Sequence, residues 1–402
     1  MYSGRMRILY VTTTFPVFSE TFLQREVRAL KELGADLRIV SLHGGDSEFE
    51  GVEIDRFSKW ELMKLFWLLP WLIFSRFELF RKYLSDLFGA KPSYWLNFWE
   101  NMLGLGAAIV RESSLREEKP EIIHCVWSSA PAAFGWLESR LVSVPFSMGA
   151  HAYDVFEKGG DWLLQSKARD ASFIHTSTNS AAMVLKNHVS SNKVHLIRRG
   201  MNRFPEFKKL RMNRHSLRIV CVARLVEKKG FPFQLAIYEA LRSAGIKFEA
   251  RIIGKGEMTK SIQLGISERG LGDRVTLKGR LSLEETLQNV GWADILIHTG
   301  IIARNGDRDG LPNVIPEAMA SGTVVLGSPV SGVGEAITDG ETGFLCEVEN
   351  ASAWVDRCRR IQSDDGLCET LRLNARDWAE REFLASRNSG CLLQLLAQQS
   401  SS

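Results

Sequence analysis

Short apolar runs alternate with longer helix-patterned segments through both halves of this 402-residue chain. In the first half the runs are "RILYVTTT", "DLRIVSLH", "EIIHCVW", "VPFSMGAH" and "ASFIHTST"; in the second they are "SLRIVCVAR", "FEARIIG", "RVTLKG", "ADILIHTG" and "TVVLGSP". Runs that are apolar throughout, rather than at every second residue, belong to strands covered on both faces, and strands alternating with helices imply a parallel sheet with helices on either side. Two such sets are too much for one core, so the pattern predicts an α/β chain of two doubly wound, Rossmann-like domains. Between them, residues 198–218 read "RRGMNRFPEFKKLRMNRHSLR", a polar, strongly basic stretch with Pro205 and one acid. The expected division is a domain over 1–200, a solvated linker over 201–216 and a second domain over 217–375. A C-terminal helix over 376–402 then follows, free to pack back on the first domain, with a helical pattern from about Asn374 to Gln398 and a frayed Ser-rich end.

Composition narrows the class. Apolar residues make up 45% and charged residues 24%, which excludes disordered and fibrous chains. A formal charge of +4 suits anionic ligands or a lipid surface, but is too weak to point to nucleic acid, and no nucleic-acid module is present. The six cysteines are scattered without any C-x-x-C, so they read as reduced thiols of a cytoplasmic protein, with no zinc site. "MYSGRMRILYVTTTFP" enters a strand almost at once, leaving no room for a secretory signal. "LFWLLPWLIF", residues 65–74, carries Pro70 in its middle and falls short of the roughly twenty apolar residues that span a bilayer. With Trp60, Trp67 and Trp71 beside Arg76, Arg81 and Lys82, residues 60–83 read either as a peripheral membrane-surface helix or as a core helix under a loop.

Open α/β sheets bind ligands beyond the carboxyl ends of their strands, which identifies the loops to inspect. After the first strand of the second half comes "VARLVEKKG": Arg224 at the strand end, Lys229 five residues on, then Gly230. Two cations and a permissive glycine at such an exit suit a diphosphate, although a solvated Lys/Glu face explains the same letters. After "ADILIHTG" comes "IIARNGDRDGLPNVIPEAMASG". Pro312 and Pro316 are both tolerated only if a helix starts near Asn313, since proline fits the first turn. The amides of Asn313, Val314 and Ile315 would then form an anion site, with Gly310 allowing close approach. Asp309 before that helix and Glu317 one turn inside it would reach hydroxyls on either side of a bound phosphate, because ionised carboxylates are pure acceptors.

"VARLVEKKG", "IIGKGE", "VTLKGR", "ADILIHTG", "RDGLPNVIPEAMASGTVVLGSPVSGVGEAITDGETGFL" and "GAHAYDVF" resemble, in order and spacing, the family 4 retaining glycosyltransferases of GT-B fold. "TFPVFSETFLQREVRALKELG" is similar to the N-terminal signature of the branch that builds exopolysaccharide and colanic-acid-type surface glycans. The resemblance covers nearly the whole chain and is weakest over residues 50–110. It implies two Rossmann-like domains facing each other across a cleft that closes about the linker. It also implies a nucleotide sugar, UDP- or GDP-linked, as donor, a glycan or polyprenyl-diphosphate-linked acceptor, and no cofactor. By the same resemblance Arg224 and Lys229 hold the donor diphosphate with amides of Gly310, Leu311, Asn313 and Val314. Glu317 binds the ribose, Asp309 a hydroxyl of the transferred sugar, and His151 faces that sugar, while Gly254 and Arg280 fall where the nucleoside packs. Asp309 stands where the family usually has glutamate, and "TTTFPVFSETF" replaces its glycine-rich loop. In that loop Thr14, Ser19 and Glu20 are candidates for donor or acceptor contact, against a plain reading in which Ser19 caps the next helix.

"DRD", Asp307 to Asp309, imitates a metal-binding D-x-D, but its place before a phosphate-binding helix beside two cations argues for a site without metal. A dinucleotide oxidoreductase should carry G-x-G-x-x-G after its first strand, and "YVTTTFPVFSE" has no glycine. A nucleotide-sugar epimerase and a catalytically silent sugar-nucleotide-binding module remain the alternatives on the same fold.

Overall fold

Strands with no polar face have to be covered twice, and that requirement organises both halves of the chain. The structure, a computed structural model, describes residues 5–18, 20–89, 91–92, 94–211, 215–330 and 332–400. The chain divides into two compact units, Met1–Asn202 with Ala385–Ser402, and Arg203–Leu384.

In the first unit the strands are β1 (Arg7–Thr12), β2 (Asp36–Ser41), β3 (Glu48–Phe49), β4 (Val52–Arg56), β5 (Ile122–Cys125), β6 (Phe146–Gly149), β7 (Ile174–Thr176) and β8 (Val194–Leu196). They form one sheet in the order β3-β4-β2-β1-β5-β6-β7-β8, parallel throughout except for the β3/β4 pair. The second unit holds β9 (Leu217–Val222), β10 (Phe248–Ile253), β11 (Val275–Gly279), β12 (Ile295–His298), β13 (Val324–Gly327) and β14 (Phe344–Leu345), ordered β11-β10-β9-β12-β13-β14 and all parallel. Each sheet therefore reverses direction at its first strand: β1 lies between β2 and β5, and β9 between β10 and β12. That reversal opens a crevice for ligands at the carboxyl ends of the flanking strands.

All ten apolar runs read from the sequence are strands. The strands not anticipated, β3, β4, β8 and β14, are short or carry alternate polar residues, as in "VEIDR".

Two expectations about the chain crossings change. The segment expected as solvated linker is packed on the second unit over residues 207–211. The Lys208 Nζ donates to Thr323 Oγ1 at 3.0 Å and to the Ala293 carbonyl, Arg211 Nε donates to Asp294 Oδ1 at 3.0 Å, and Arg372 lies over the Phe207 ring at 4.8 Å. Basic side chains that would be solvated in a linker instead satisfy carbonyls at the strand edges, and burial pushes the Lys208 amine down to about 7. Residues 212–214 lie outside the described residues. The C-terminal helical pattern is broken into two helices, Asp365–Glu382 and Ala385–Ser400, because Phe383 leaves helical geometry at φ −123° and is buried. The Ala385 amide donates to the Met201 carbonyl at 3.0 Å, and Leu392 and Leu396 are fully buried in the core of the first unit with Leu23 and Val27.

Candidate functional site

At the carboxyl end of β9 the chain must pass close to two neighbours, and glycines permit it. The Ala223 amide donates to the Ile253 carbonyl at 3.0 Å and the Leu225 amide to the Lys255 carbonyl at 3.2 Å, so the loop carrying Arg224 runs beside the loop after β10. Gly254 closes that contact at φ +141°, where a Cβ would sit 1.8 Å from the Ala223 carbonyl oxygen. Four residues further on, the Ile301 amide donates to the Lys228 carbonyl at 2.9 Å and Thr299 Oγ1 to the Lys229 carbonyl at 3.0 Å. Gly230 follows at φ +64°, where a Cβ would lie 1.9 Å from the Thr299 carbonyl oxygen. Backbone bonds thus fix the two lysines over the β9/β12 reversal.

Their charges meet the acids after β12. The Lys229 Nζ lies 2.5 Å from Asp309 Oδ2, and Lys228 Nζ lies 2.9 Å from Asp307 Oδ2 and 3.6 Å from Asp309 Oδ1. The His298 ring, at the end of β12, accepts a long hydrogen bond from the Gly300 amide at Nδ1 (3.4 Å), which assigns the ring proton to Nε2. That Nε2 faces Asp309 Oδ2 at 3.4 Å, near enough for an electrostatic attraction but outside hydrogen-bonding geometry. Burial alone would raise the Asp309 carboxyl; Lys229, His298 and Lys228 outweigh it and hold the group well below the usual carboxylate range. Burial dominates for His298 and lowers its pKa despite Asp309, so the ring is neutral near pH 7.

The helix after this loop spans Val314–Ser321 with Asn313 as its N-cap, every residue of it buried. The Glu317 side chain stands in the first turn, 5% exposed, and its carbonyl accepts from Ser321 Oγ at 2.8 Å. One expected feature fails: the Ile315 amide donates to the Pro312 carbonyl at 3.0 Å, so it is not part of an open anion site. The first turn is tightened into a 3₁₀-type bond, a usual way of satisfying helix-start donors. Gly310, Leu311 and Asn313 are half-buried in the loop, and Val314 is buried. Arg224 and Arg280 are exposed at the ends of their strands.

In the first unit His151 follows β6 and is 3% exposed. Asp154 fixes its loop: Oδ1 accepts the amides of His151 (3.0 Å) and Ala152 (3.1 Å), and Oδ2 accepts the Ser128 amide (3.0 Å) from the loop after β5. Beneath, the buried Lys167 ammonium pairs with Asp161 at 2.6 Å and donates to Asn101 Oδ1 at 2.7 Å. The His151 ring meets Trp127 edge-on at 5.4 Å and His175 at 5.0 Å, and His175 lies 5.1 Å from His124. Neither nitrogen of His151 or of His175 has a hydrogen-bond partner among the described residues. Burial, then the Arg199 guanidinium, keeps His151 well below its ordinary pKa; burial, then the neighbouring His124, does so for His175. A buried, neutral imidazole with both nitrogens unpartnered can donate to and accept from a polar ligand.

The candidate residues of the β1 loop are less organised. The Thr14 hydroxyl is taken up by the His43 carbonyl at 2.9 Å, and Ser19 lies outside the described residues. Glu20 itself is the N-cap of the helix Thr21–Glu32, without a side-chain cap bond. The structure brings Lys229 and Asp309 into direct contact and leaves His151 in the first unit. Sequence reasoning missed His298 and Lys228; the one available signal was a histidine ending the buried run "ADILIHTG". Among the described residues no group of three or more His, Cys, Asp or Glu is placed to hold a metal ion.

Residues 202–378 match the family described as glycosyl transferases group 1. The second unit thus matches a glycosyl transferases group 1 domain, and the chain has the GT-B fold. It is similar to the amylovoran biosynthesis glycosyltransferase AmsK of Erwinia amylovora, 26% identical over 98% of this chain and 100% of that one. Among solved structures it is similar to Anabaena HepE in complex with UDP and glucose, with a TM-score of 0.71 at 15% identity over 98% of this chain and 100% of that one. Sucrose-phosphate synthase from Thermosynechococcus elongatus gives a TM-score of 0.71 at 16% identity, over 98% of this chain and 99% of that one.

Proposed function

We propose that this chain is a retaining, metal-independent hexosyltransferase of family 4 that moves a sugar from a nucleotide-diphosphate donor to a growing glycan or polyprenyl-diphosphate-linked glycan. The observation that carries this reading is the pair Lys228 and Lys229, fixed over the β9/β12 reversal with Asp307, Asp309 and His298 around it. A diphosphate leaving group needs cations held where its charge grows, because preorganised charge stabilises a transition state without rearranging. Lys229 and Arg224 are assigned to the two phosphates, with the amides of Gly310, Leu311, Asn313 and Val314. Glu317 is assigned to the ribose, and Gly254 and Arg280 to the nucleoside. Lys229 exchanges Asp309 for phosphate, which frees one Asp309 oxygen for a sugar hydroxyl while His298 keeps the carboxylate in place. The acceptor hydroxyl oxygen bonds to the anomeric carbon on the face from which the phosphate oxygen departs; its proton passes to that oxygen, and the configuration is retained. His151, neutral and without a partner among the described residues, is assigned to the transferred sugar.

AmsK is named for amylovoran biosynthesis, and HepE was solved with UDP; polysaccharide assembly from a nucleotide sugar is the reading they support, and we assign it to the cytoplasmic side. The test is turnover against a panel of UDP- and GDP-sugars, with and without chelator, and NMR of the product's anomeric proton. Transfer with retention, unaffected by chelator, is expected. Epimerisation of the donor, or tight binding without turnover, would assign the chain to an epimerase or a silent binding module instead.

A further inference from the structure

Among the described residues, nineteen large hydrophobic side chains are exposed, and eleven of them lie between Trp60 and Trp99. This stretch comprises a 3₁₀ turn, Lys59–Lys64, the helices Leu65–Ser75 and Phe77–Gly89, and the first turns of the helix Trp95–Glu118. The side chains are sorted by type. Leu62, Leu65, Leu68, Leu72 and Tyr83 pack into the core of the first unit. Trp67, Trp71 and Phe74, spaced i, i+4, i+7 along one helix, face outward with exposures of 76%, 58% and 91%. Trp60, Trp95 and Trp99 continue the exposed set at 82%, 72% and 61%. Five of the chain's eleven tryptophans are thus placed in water, where a soluble core or a plain surface has no use for them.

The geometry points to an interfacial membrane-docking surface, formed by residues 59–89 and 94–99, that seats the first unit on an anionic lipid bilayer. The occupant is argued from chemistry and charge. Tryptophan and phenylalanine are the side chains that settle at the headgroup boundary, each apolar enough to enter it, with the tryptophan N–H left to the wet side. Residues 59–99 contain six basic residues against three acids; Lys64 and Arg81 pair with Glu61 and Glu78 of the same stretch and Arg76 and Lys82 with Glu112 and Asp170, which leaves Lys59 and Lys91 as the basic residues outside these pairs. Basic residues beside an apolar face add attraction to anionic headgroups. The helix Leu65–Ser75 has eleven residues, and no helix among the described residues is long and apolar enough to cross a membrane, so the surface lies on the bilayer rather than through it. The surface reaches past residue 83 to Trp95 and Trp99 at the start of the long helix. For its purpose, meeting a lipid-linked acceptor, this rests on the proposed function. Its test reads lipid binding alone, so the two fail separately.

The full chain is sedimented with vesicles of phosphatidylethanolamine and phosphatidylglycerol, and with vesicles of phosphatidylcholine. Binding is expected to be about tenfold or more stronger on the anionic vesicles. The triple variant Trp67→Ser, Trp71→Ser, Phe74→Ser should lose at least about tenfold in affinity, since its side chains supply much of the apolar entry. Quenching of wild-type tryptophan fluorescence by brominated lipid gives a second readout that does not depend on the variant's folding. Wild type left in the supernatant without quenching overturns the proposal, as does a folded triple variant that binds as well as wild type. A concentration-dependent dimer that the triple variant loses, without vesicle binding, also overturns it and assigns the surface to a second copy of the chain.

Discussion

Replacing His175 by leucine isolates the charge state of the buried histidine cluster. The folded pKa of His175 lies well below its ordinary value because burial, then the neighbouring His124, disfavours the imidazolium. Above the unfolded pKa of about 6.5 both folded and unfolded chains carry it neutral, and nothing is lost. As pH falls through that value the unfolded chain takes up a proton that the folded chain refuses, so stability declines. The decline continues until the folded pKa is reached. At pH 5.5 one such group costs RT ln(1 + 10), about 1.4 kcal/mol, relative to pH 8. His175→Leu should therefore flatten the pH dependence by about 1.4 kcal/mol. At pH 8 it should be no less stable than wild type, because it removes two buried nitrogens that have no partner among the described residues, a situation costing about 1–3 kcal/mol per group. The assay is urea unfolding at pH 8 and pH 5.5, read by tryptophan fluorescence, since eight of the eleven tryptophans belong to the first unit. Glu100, raised by burial to about 7, titrates in the same window but in both proteins, and cancels in the difference. Equal pH dependence for variant and wild type would refute the neutral cluster, and with it the hydrogen-bonding role given to His151.

Arg224→Ala or Lys229→Ala should lower kcat by two or more orders of magnitude, about 3 kcal/mol of lost transition-state stabilisation for a charged donor, with folding intact by circular dichroism; unchanged turnover in both removes the diphosphate assignment. Asp309→Asn should raise KM for the sugar nucleotide more than Kd for the free nucleotide, measured by calorimetry, and the reverse pattern would transpose the roles of Asp309 and Glu317. His298→Ala should cost about tenfold in kcat/KM, with partial recovery in His298→Gln, whose amide presents an N–H toward Asp309; equal defects in both would make the residue a packing element only. Gly230→Ala should lower stability by roughly 2 kcal/mol or more, because its Cβ falls on the Thr299 carbonyl at a positive φ, and an unchanged melting temperature would contradict the loop geometry.

The two sheets were legible because strands buried on both faces leave uninterrupted apolar runs, and Pro312 with Pro316 located the helix start at Asn313 from the steric limits of proline alone. The β3/β4 hairpin was not, since "VEIDR" pairs at a sheet edge where alternate residues meet water. Nor was the helix break near Phe383, which depends on a buried aromatic ending one helix. At the site, residue types singled out the loops after β9 and β12, but the pairing of Lys228 and Lys229 with Asp307 and Asp309 joins residues about eighty positions apart, and no periodicity records such a contact. The exposure of the aromatic helix was equally hidden, because its composition suits a core helix as well as an interfacial one, and only packing decides which side the leucines take.

The claim on which the proposed function depends is that a donor diphosphate binds at the β9/β12 reversal of the second unit. A crystal structure of the chain soaked with UDP tests it directly. The expected result is both phosphates within hydrogen-bonding distance of Lys229 and Arg224, with Lys229 released from Asp309 and the ribose at Glu317. A nucleotide seated elsewhere, with the Lys229–Asp309 ion pair unbroken, would contradict it.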